Sequence, residues 1–120
     1  MFVVGTVTDH VAPWRSVYKV HLIVGAEVTF VLTSGGHNAG IVSEPGHPRR
    51  TYRIATRPAG GPYVDPDEWE AHAPLKEGSW WPEWQAWLAA RSSPDAKPPS
   101  MGTPDRGPLA DAPGSYVYQP

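Results

Sequence analysis

The chain has 120 residues, ten Lys or Arg against twelve Asp or Glu, and no cysteine. That length allows at most one small domain; the formal charge of −2 argues against broad attraction to nucleic acid or an acidic membrane surface, and the missing cysteines exclude disulfides and cysteine-ligated zinc. No stretch approaches the roughly 20 apolar residues of a spanning helix, and no basic, apolar, small-residue leader opens the chain, so a cytoplasmic protein with no membrane or nucleic-acid partner is expected.

Phe2-Val3-Val4-Gly5-Thr6-Val7 is a β-rich run without alternation, as in a strand buried on both faces of a parallel sheet. Pro13 fits the first turn of a helix. Trp14, Val17, Tyr18, His21 and Leu22 follow at spacings of three and four, which gives one apolar stripe. Gly25 ends that helix, and Glu27 to Thr33 reads as a second strand. Strand, helix, strand is a βαβ unit with a right-handed crossover. Two strands alone leave the first with an open edge, which proteins normally cover or blunt; the segment therefore reads as part of something larger.

Beyond the loop from Ser43 to Pro48, Tyr52, Ile54 and Thr56 alternate with Arg53, Ala55 and Arg57 as a short, solvated edge strand would. Asp65-Pro66-Asp67-Glu68 is a helix start, with a capping aspartate and proline at the first position. Pro74 stops that helix. The next runs from near Pro82 to about Arg91 with Trp84, Trp87 and Leu88 on one face. From Ser92 to Pro120 there are seven prolines and three glycines, too little apolar content to offset ordering entropy. The expected division is a folded part over 1–91 and an irregular tail over 92–120.

Two residues stand where chemistry is expected. Asp9 closes the first strand-like run and His37, 28 positions later, closes the second within Ser34-Gly35-Gly36-His37-Asn38-Ala39-Gly40. Alone, Asp9 reads as a turn or capping aspartate and His37 as a surface histidine. As a pair they emerge at the same rim, because parallel strands of one βαβ unit end on the same side, where α/β folds place their sites. A histidine base needs such a carboxylate to fix its tautomer and stabilise its charged form, and Gly35, Gly36 and Gly40 permit the tight turn that presents the ring. Acid and base arrive in this order in α/β-hydrolase triads, with the nucleophile upstream of both. Here eight residues precede Asp9, and none of Ser16, Ser34, Ser43 or Ser79 sits in a G-x-S-x-G elbow. Asp9, His10 and His37 are metal-ligand types without a compact ligand spacing, so no metal is expected.

Several segments resemble the C-terminal part of class I polyhydroxyalkanoate synthases: Asp9-His10-Val11-Ala12-Pro13-Trp14, Phe30-Val31-Leu32, Gly36-His37-Asn38-Ala39-Gly40-Ile41-Val42, Gly78-Ser79-Trp80-Trp81-Pro82-Glu83-Trp84 and Ala112-Pro113-Gly114-Ser115-Tyr116-Val117. Their order matches along nearly the whole chain. The resemblance implies an α/β-hydrolase fold with a Cys-Asp-His triad that polymerises 3-hydroxyacyl groups from coenzyme A thioesters, with the thioester as substrate and no cofactor. His37 would activate the cysteine thiol. Asp9 would orient His37 or help activate the 3-hydroxyl of the incoming monomer. His10 and Gly36 would neighbour the site, as would Asn38, which departs from the aliphatic residue many relatives carry after the histidine.

The implied partners are a cysteine-bearing N-terminal portion, a polyester granule and a second copy of the chain. Arg49, Arg50 and Arg53 are candidate contacts for coenzyme A phosphates; a solvated strand is the plainer reading. Trp80, Trp81, Trp84 and Trp87 either close the core or offer an apolar patch to polymer, granule or partner. The expectation is α/β: two parallel strands with a crossover helix, then Trp-rich helices and an irregular tail, inactive when isolated. A non-catalytic granule-binding or synthase-regulating protein is the competing reading.

Overall fold

The two apolar runs of the first third of the chain pair with each other, and one of them becomes the centre of a four-stranded sheet. The computed structural model describes residues 1–103 and 105–119. Strand β1 (Phe2–Thr6) lies parallel to β2 (Val28–Thr33), in a register that sets Phe2 against Thr29 and Thr6 against Thr33. β3 (Thr51–Arg57) is antiparallel to β2, and β4 (Leu75–Glu77) is antiparallel to β3, so the order is β1-β2-β3-β4. The sheet is mixed and has two more strands than the βαβ unit alone.

Every residue of β2 is buried, because its alternate side chains serve two cores. On one face Phe30 and Leu32 pack with Trp14, Tyr18, Trp69 and Ala73. On the other, Val31 packs with Tyr52 and Trp80, supported by Phe2, Val4, Ile54 and Trp81. A continuous apolar run without alternation is what a strand covered on both faces requires.

The crossover is not one helix. It breaks at Lys19 into α1 (Trp14–Tyr18) and α2 (Val20–Ile23). There the amide of Lys19 bonds Ser16 and that of Leu22 bonds Lys19, both three residues back. The tighter turn shifts the helical phase, so His21 takes the inward position and Leu22 turns to solvent. Asp65 caps α3 (Pro66–His72) through its side chain to the amide of Asp67 at 2.9 Å. Helix α4 (Trp81–Ala89) is tied down at its start by Glu83, whose Oε1 accepts from Tyr52 at 3.1 Å and Lys76 at 2.6 Å.

β3 is an interior strand, not a solvated edge. Arg53 donates to the carbonyl of Ala73 at 2.6 Å, and Arg57 donates to His21 Nδ1 at 3.2 Å and to the carbonyl of Gly61 at 2.9 Å. The alternation that suggests solvated arginines instead places guanidinium groups on the orphan carbonyls of α3 and its neighbouring loops. After α4 the described residues hold one 3₁₀ turn (Tyr116–Tyr118) and an isolated bridge between Thr103 and Arg106, and are almost all exposed. No described helix is long and apolar enough to cross a membrane.

Candidate active site

The β1–β2 ladder does not stop at the strand ends. Val7 donates to the carbonyl of Thr33 at 3.0 Å and Thr8 to that of Gly35 at 3.1 Å. This brings the segment after β1 and the segment after β2 to one rim. Asp9 sits three residues past Thr6 and His37 four past Thr33, and their side chains meet: His37 Nδ1 lies 2.9 Å from Asp9 Oδ2.

The two partners differ in setting. Asp9 is almost enclosed, its side chain 7% exposed, whereas the His37 ring is 47% exposed. Asp9 Oδ1 accepts from the amides of Val11 and Ala12, each at 2.8 Å, and Thr6 Oγ1 approaches Oδ2 at 3.4 Å. The Ala12 amide, with His37 and Val11, holds the carboxyl down at about 2 against the opposing cost of burial. An ionised carboxylate only accepts hydrogen bonds, so Nδ1 of His37 carries the proton. In neutral imidazole Nε2 is then the basic nitrogen, and among the described residues nothing hydrogen-bonds to it.

The loop that carries His37 is closed by its own backbone: Gly40 donates to Gly36 at 2.9 Å, and Ile41 and Val42 both donate to Asn38. Two of its glycines are required for different reasons. Gly35 has φ 102°, in the left-handed region. A Cβ on Gly40 would lie 2.5 Å from Thr6 Cγ2 and 2.9 Å from Thr6 Cβ. Gly36 carries no such constraint, since a Cβ there would make ordinary contacts with Thr8.

The remaining candidates separate. His10 and Asn38 are exposed beside the pair, and neither side chain makes a hydrogen bond among the described residues. Arg49 and Arg50 line an open cleft with His47, Thr51, Glu77 and Gly78. Arg53 does not join them; it is spent on the carbonyl of Ala73. No described serine or threonine hydroxyl bonds to His37: Ser34 accepts from Thr51, Ser79 donates to Ser43, and Ser43 is fully buried. No three His, Asp or Glu side chains gather as a metal site among the described residues. Sequence reasoning missed Thr6, which touches both Asp9 and Gly40, and missed that Ser79, Trp80 and Trp81 reach the loop after His37; the tryptophan-rich run was the available signal.

Three relatives are similar to this chain along nearly all of its length. Poly(3-hydroxyalkanoate) polymerase 2 of Ectopseudomonas oleovorans is 39% identical over 117 residues, 97% of this chain and 20% of that protein. The poly(3-hydroxyalkanoate) polymerase of Methylorubrum extorquens is 40% identical over 119 residues, 98% of this chain and 19% of its own length. The poly(3-hydroxyalkanoate) polymerase subunit PhaC of Cupriavidus necator is 33% identical over 117 residues, 97% of this chain and 19% of that subunit. The chain thus spans about a fifth of the length of the curated relatives it matches, and its resemblance to polyhydroxyalkanoate synthases holds over nearly all of its own length. No family model matches the chain.

Proposed function

We propose that this chain is the C-terminal portion of a polyester synthase of the α/β-hydrolase type, supplying the acid and base of an acyltransferase whose cysteine nucleophile lies on another segment. The observation that carries this is the Asp9–His37 pair, 2.9 Å apart at the carboxyl rim of two parallel strands, in a chain similar to the polymerases over 97% of its length.

In this reading His37 Nε2 takes the proton of the cysteine thiol as the sulfur attacks the thioester carbonyl carbon of a 3-hydroxyacyl coenzyme A. The imidazolium, held by Asp9, returns that proton to the departing coenzyme A thiolate. The same nitrogen then removes the proton of a 3-hydroxyl that attacks the acyl-enzyme carbonyl; the ester bond forms as the carbon–sulfur bond breaks, and the imidazolium returns the proton to the departing cysteine thiolate. The near-enclosure of Asp9 and its saturation by two amides and His37 favour an orienting role over direct contact with the 3-hydroxyl. Arg49 and Arg50 are the remaining candidates for coenzyme A phosphates.

The purified 120 residues should release no coenzyme A from 3-hydroxybutyryl coenzyme A. Turnover should appear when a cysteine-bearing portion is supplied and vanish with His37→Ala; turnover by the chain alone would overturn the proposal. A second reading, a non-catalytic granule-binding protein, draws on the exposure of Ile41, Val42, Trp84 and Leu88. It predicts adsorption to polyester particles that His37→Ala leaves unchanged and that Trp84→Glu with Leu88→Glu abolishes.

A further inference from the structure

An exposed imidazole on the long connection between β2, which ends at Thr33, and β3, which begins at Thr51, needs more than one hydrogen bond to keep its direction. The carbonyls that follow His37 are met by three consecutive side chains of a distant segment. Trp80 Nε1 donates to the carbonyl of Gly40 at 3.0 Å, in a buried contact. Trp81 Nε1 donates to the carbonyl of Ile41 at 2.9 Å. Ser79 Oγ donates to the carbonyl of Ser43 and accepts from the amide of Trp81 at 3.0 Å.

The segment that does this is itself anchored. Gly78, at φ 92°, donates to the carbonyl of Arg50 at 2.7 Å, and Glu83 binds Tyr52 and Lys76 one turn further on. The Trp80 ring stacks on Phe2 of β1, with centroids 6.2 Å apart. The loop is therefore fastened to the sheet through these indoles, whose N–H groups are donors only: that of Trp80 is buried against the carbonyl of Gly40, and that of Trp81 meets Ile41 nearer the surface. The point of attachment also matters. Gly40 rests on Thr6, and Thr6 Oγ1 faces Asp9 Oδ2. Moving Gly40 moves the loop that carries the base and loosens the packing beside the acid.

We propose that Ser79, Trp80 and Trp81 are positioning residues for His37, a clamp of three donors that fixes the direction of its ring against Asp9. This rests on the reading of His37 as the base. A tryptophan that only fills the core would be replaceable by any ring of similar bulk; a clamp requires the N–H.

The test is Trp80→Phe and Trp81→Phe in the full chain, with Trp69→Phe as the control, because Trp69 packs on the opposite face of the sheet against Trp14, Tyr18 and Phe30. Thermal unfolding reports stability, and the low-field proton resonance of His37 Nδ1–H reports the pair. The expected result is exchange of that proton with solvent about tenfold faster in Trp80→Phe, the scale of one lost hydrogen bond, and a smaller acceleration in Trp81→Phe. Trp69→Phe lowers the melting temperature and leaves the exchange rate unchanged. If Trp80→Phe does not fold, Trp81→Phe decides. An exchange rate unchanged in the tryptophan variants that fold would overturn the clamp while leaving the pair intact, and so would an equal acceleration in Trp69→Phe. Imidazole ¹⁵N shifts that place the proton of the neutral wild-type ring on Nε2 rather than Nδ1 would overturn the pair itself and the clamp with it.

Discussion

Replacing Asp9 by Asn changes one oxygen for one NH₂ and keeps the shape, so its effect can be worked from the hydrogen bonds alone. In the wild-type chain Oδ1 accepts two backbone amides at 2.8 Å and Oδ2 faces His37 Nδ1 at 2.9 Å. Asparagine has one acceptor and one donor end. With its oxygen on Val11 and Ala12, its NH₂ points at His37 and forces Nδ1 to accept, which moves the ring proton to Nε2. With the amide flipped, the pair survives but two backbone amides lose their acceptor and face a donor. A net hydrogen bond is worth roughly a factor of five to ten, so surrendering two costs about 25- to 100-fold. The first arrangement wins, and the basic nitrogen is lost from the exposed side of the ring. In a serine-protease triad the same exchange lowers turnover by about 10⁴, and on the function proposed above any turnover reconstituted with a cysteine-bearing portion should fall on that order. The direct assay is ¹⁵N NMR of the labelled imidazole above pH 7.5: the wild-type chain should show a protonated Nδ1 and a bare Nε2, and Asp9→Asn the reverse. A variant that keeps its proton on Nδ1 would refute the assignment of which carboxylate oxygen is fixed and which is used.

In acid, the Asp9 carboxyl should titrate at about 2; the stability it confers is complete above its ordinary value of 3.8 and is lost as pH falls toward 2. His37→Ala should raise that titration point yet keep it below 3.8, because the Ala12 amide is the larger cause. His21 is lowered by burial first and by Arg57 second, so its neutral form is the folded one. Stability should decline as pH drops below 6.5, and His21→Gln should remove that part of the slope, measured as urea midpoints at pH 5 and 7.5. Gly40→Ala should cost about 1–3 kcal/mol by overpacking against Thr6, with part recovered in Gly40→Ala with Thr6→Ser, which removes Cγ2; additive losses would show that Thr6 is not the obstacle. Asp65→Ala should cost about 1 kcal/mol through the lost cap of α3, with the His37 resonance unmoved.

The parallel pair β1 and β2, the cap at Asp65 and the convergence of Asp9 with His37 were legible because each is written in local pattern: an unbroken apolar run, an Asp-Pro-x-Glu start, residues just past two strand ends. The two further strands were harder to place. β4 is three residues long and exposed, with no periodicity to detect, and its pairing with β3 makes that strand interior. The arginines of β3 misled because alternation with charge looks like one wet face, whereas Arg53 and Arg57 satisfy backbone carbonyls across the fold. The break at Lys19 left no signature beyond ordinary helical spacing. For the site, the pairing was visible, but the attachment of its loop was not. Nothing in Gly-Ser-Trp-Trp says that its donors reach carbonyls about 40 residues away; only the rarity of paired tryptophans hinted at a duty beyond filling space.

The separation along the chain of the two strands that deliver Asp9 and His37 also has a kinetic consequence. The contact between them spans 28 residues and runs through a parallel ladder that no tight hairpin can nucleate, so the closure entropy of the crossover is met before any part of the pair exists. The flanking strand β3 pairs with β2 only across the connection that carries His37, which adds a second closure. The helices, none longer than nine residues, are marginal without the sheet to pack on, so a chain whose strands have not paired holds no aligned acid and base. The appearance of the His37 Nδ1 proton during refolding should coincide with the last, cooperative step, so the competence of this rim is a readout of the whole sheet having closed.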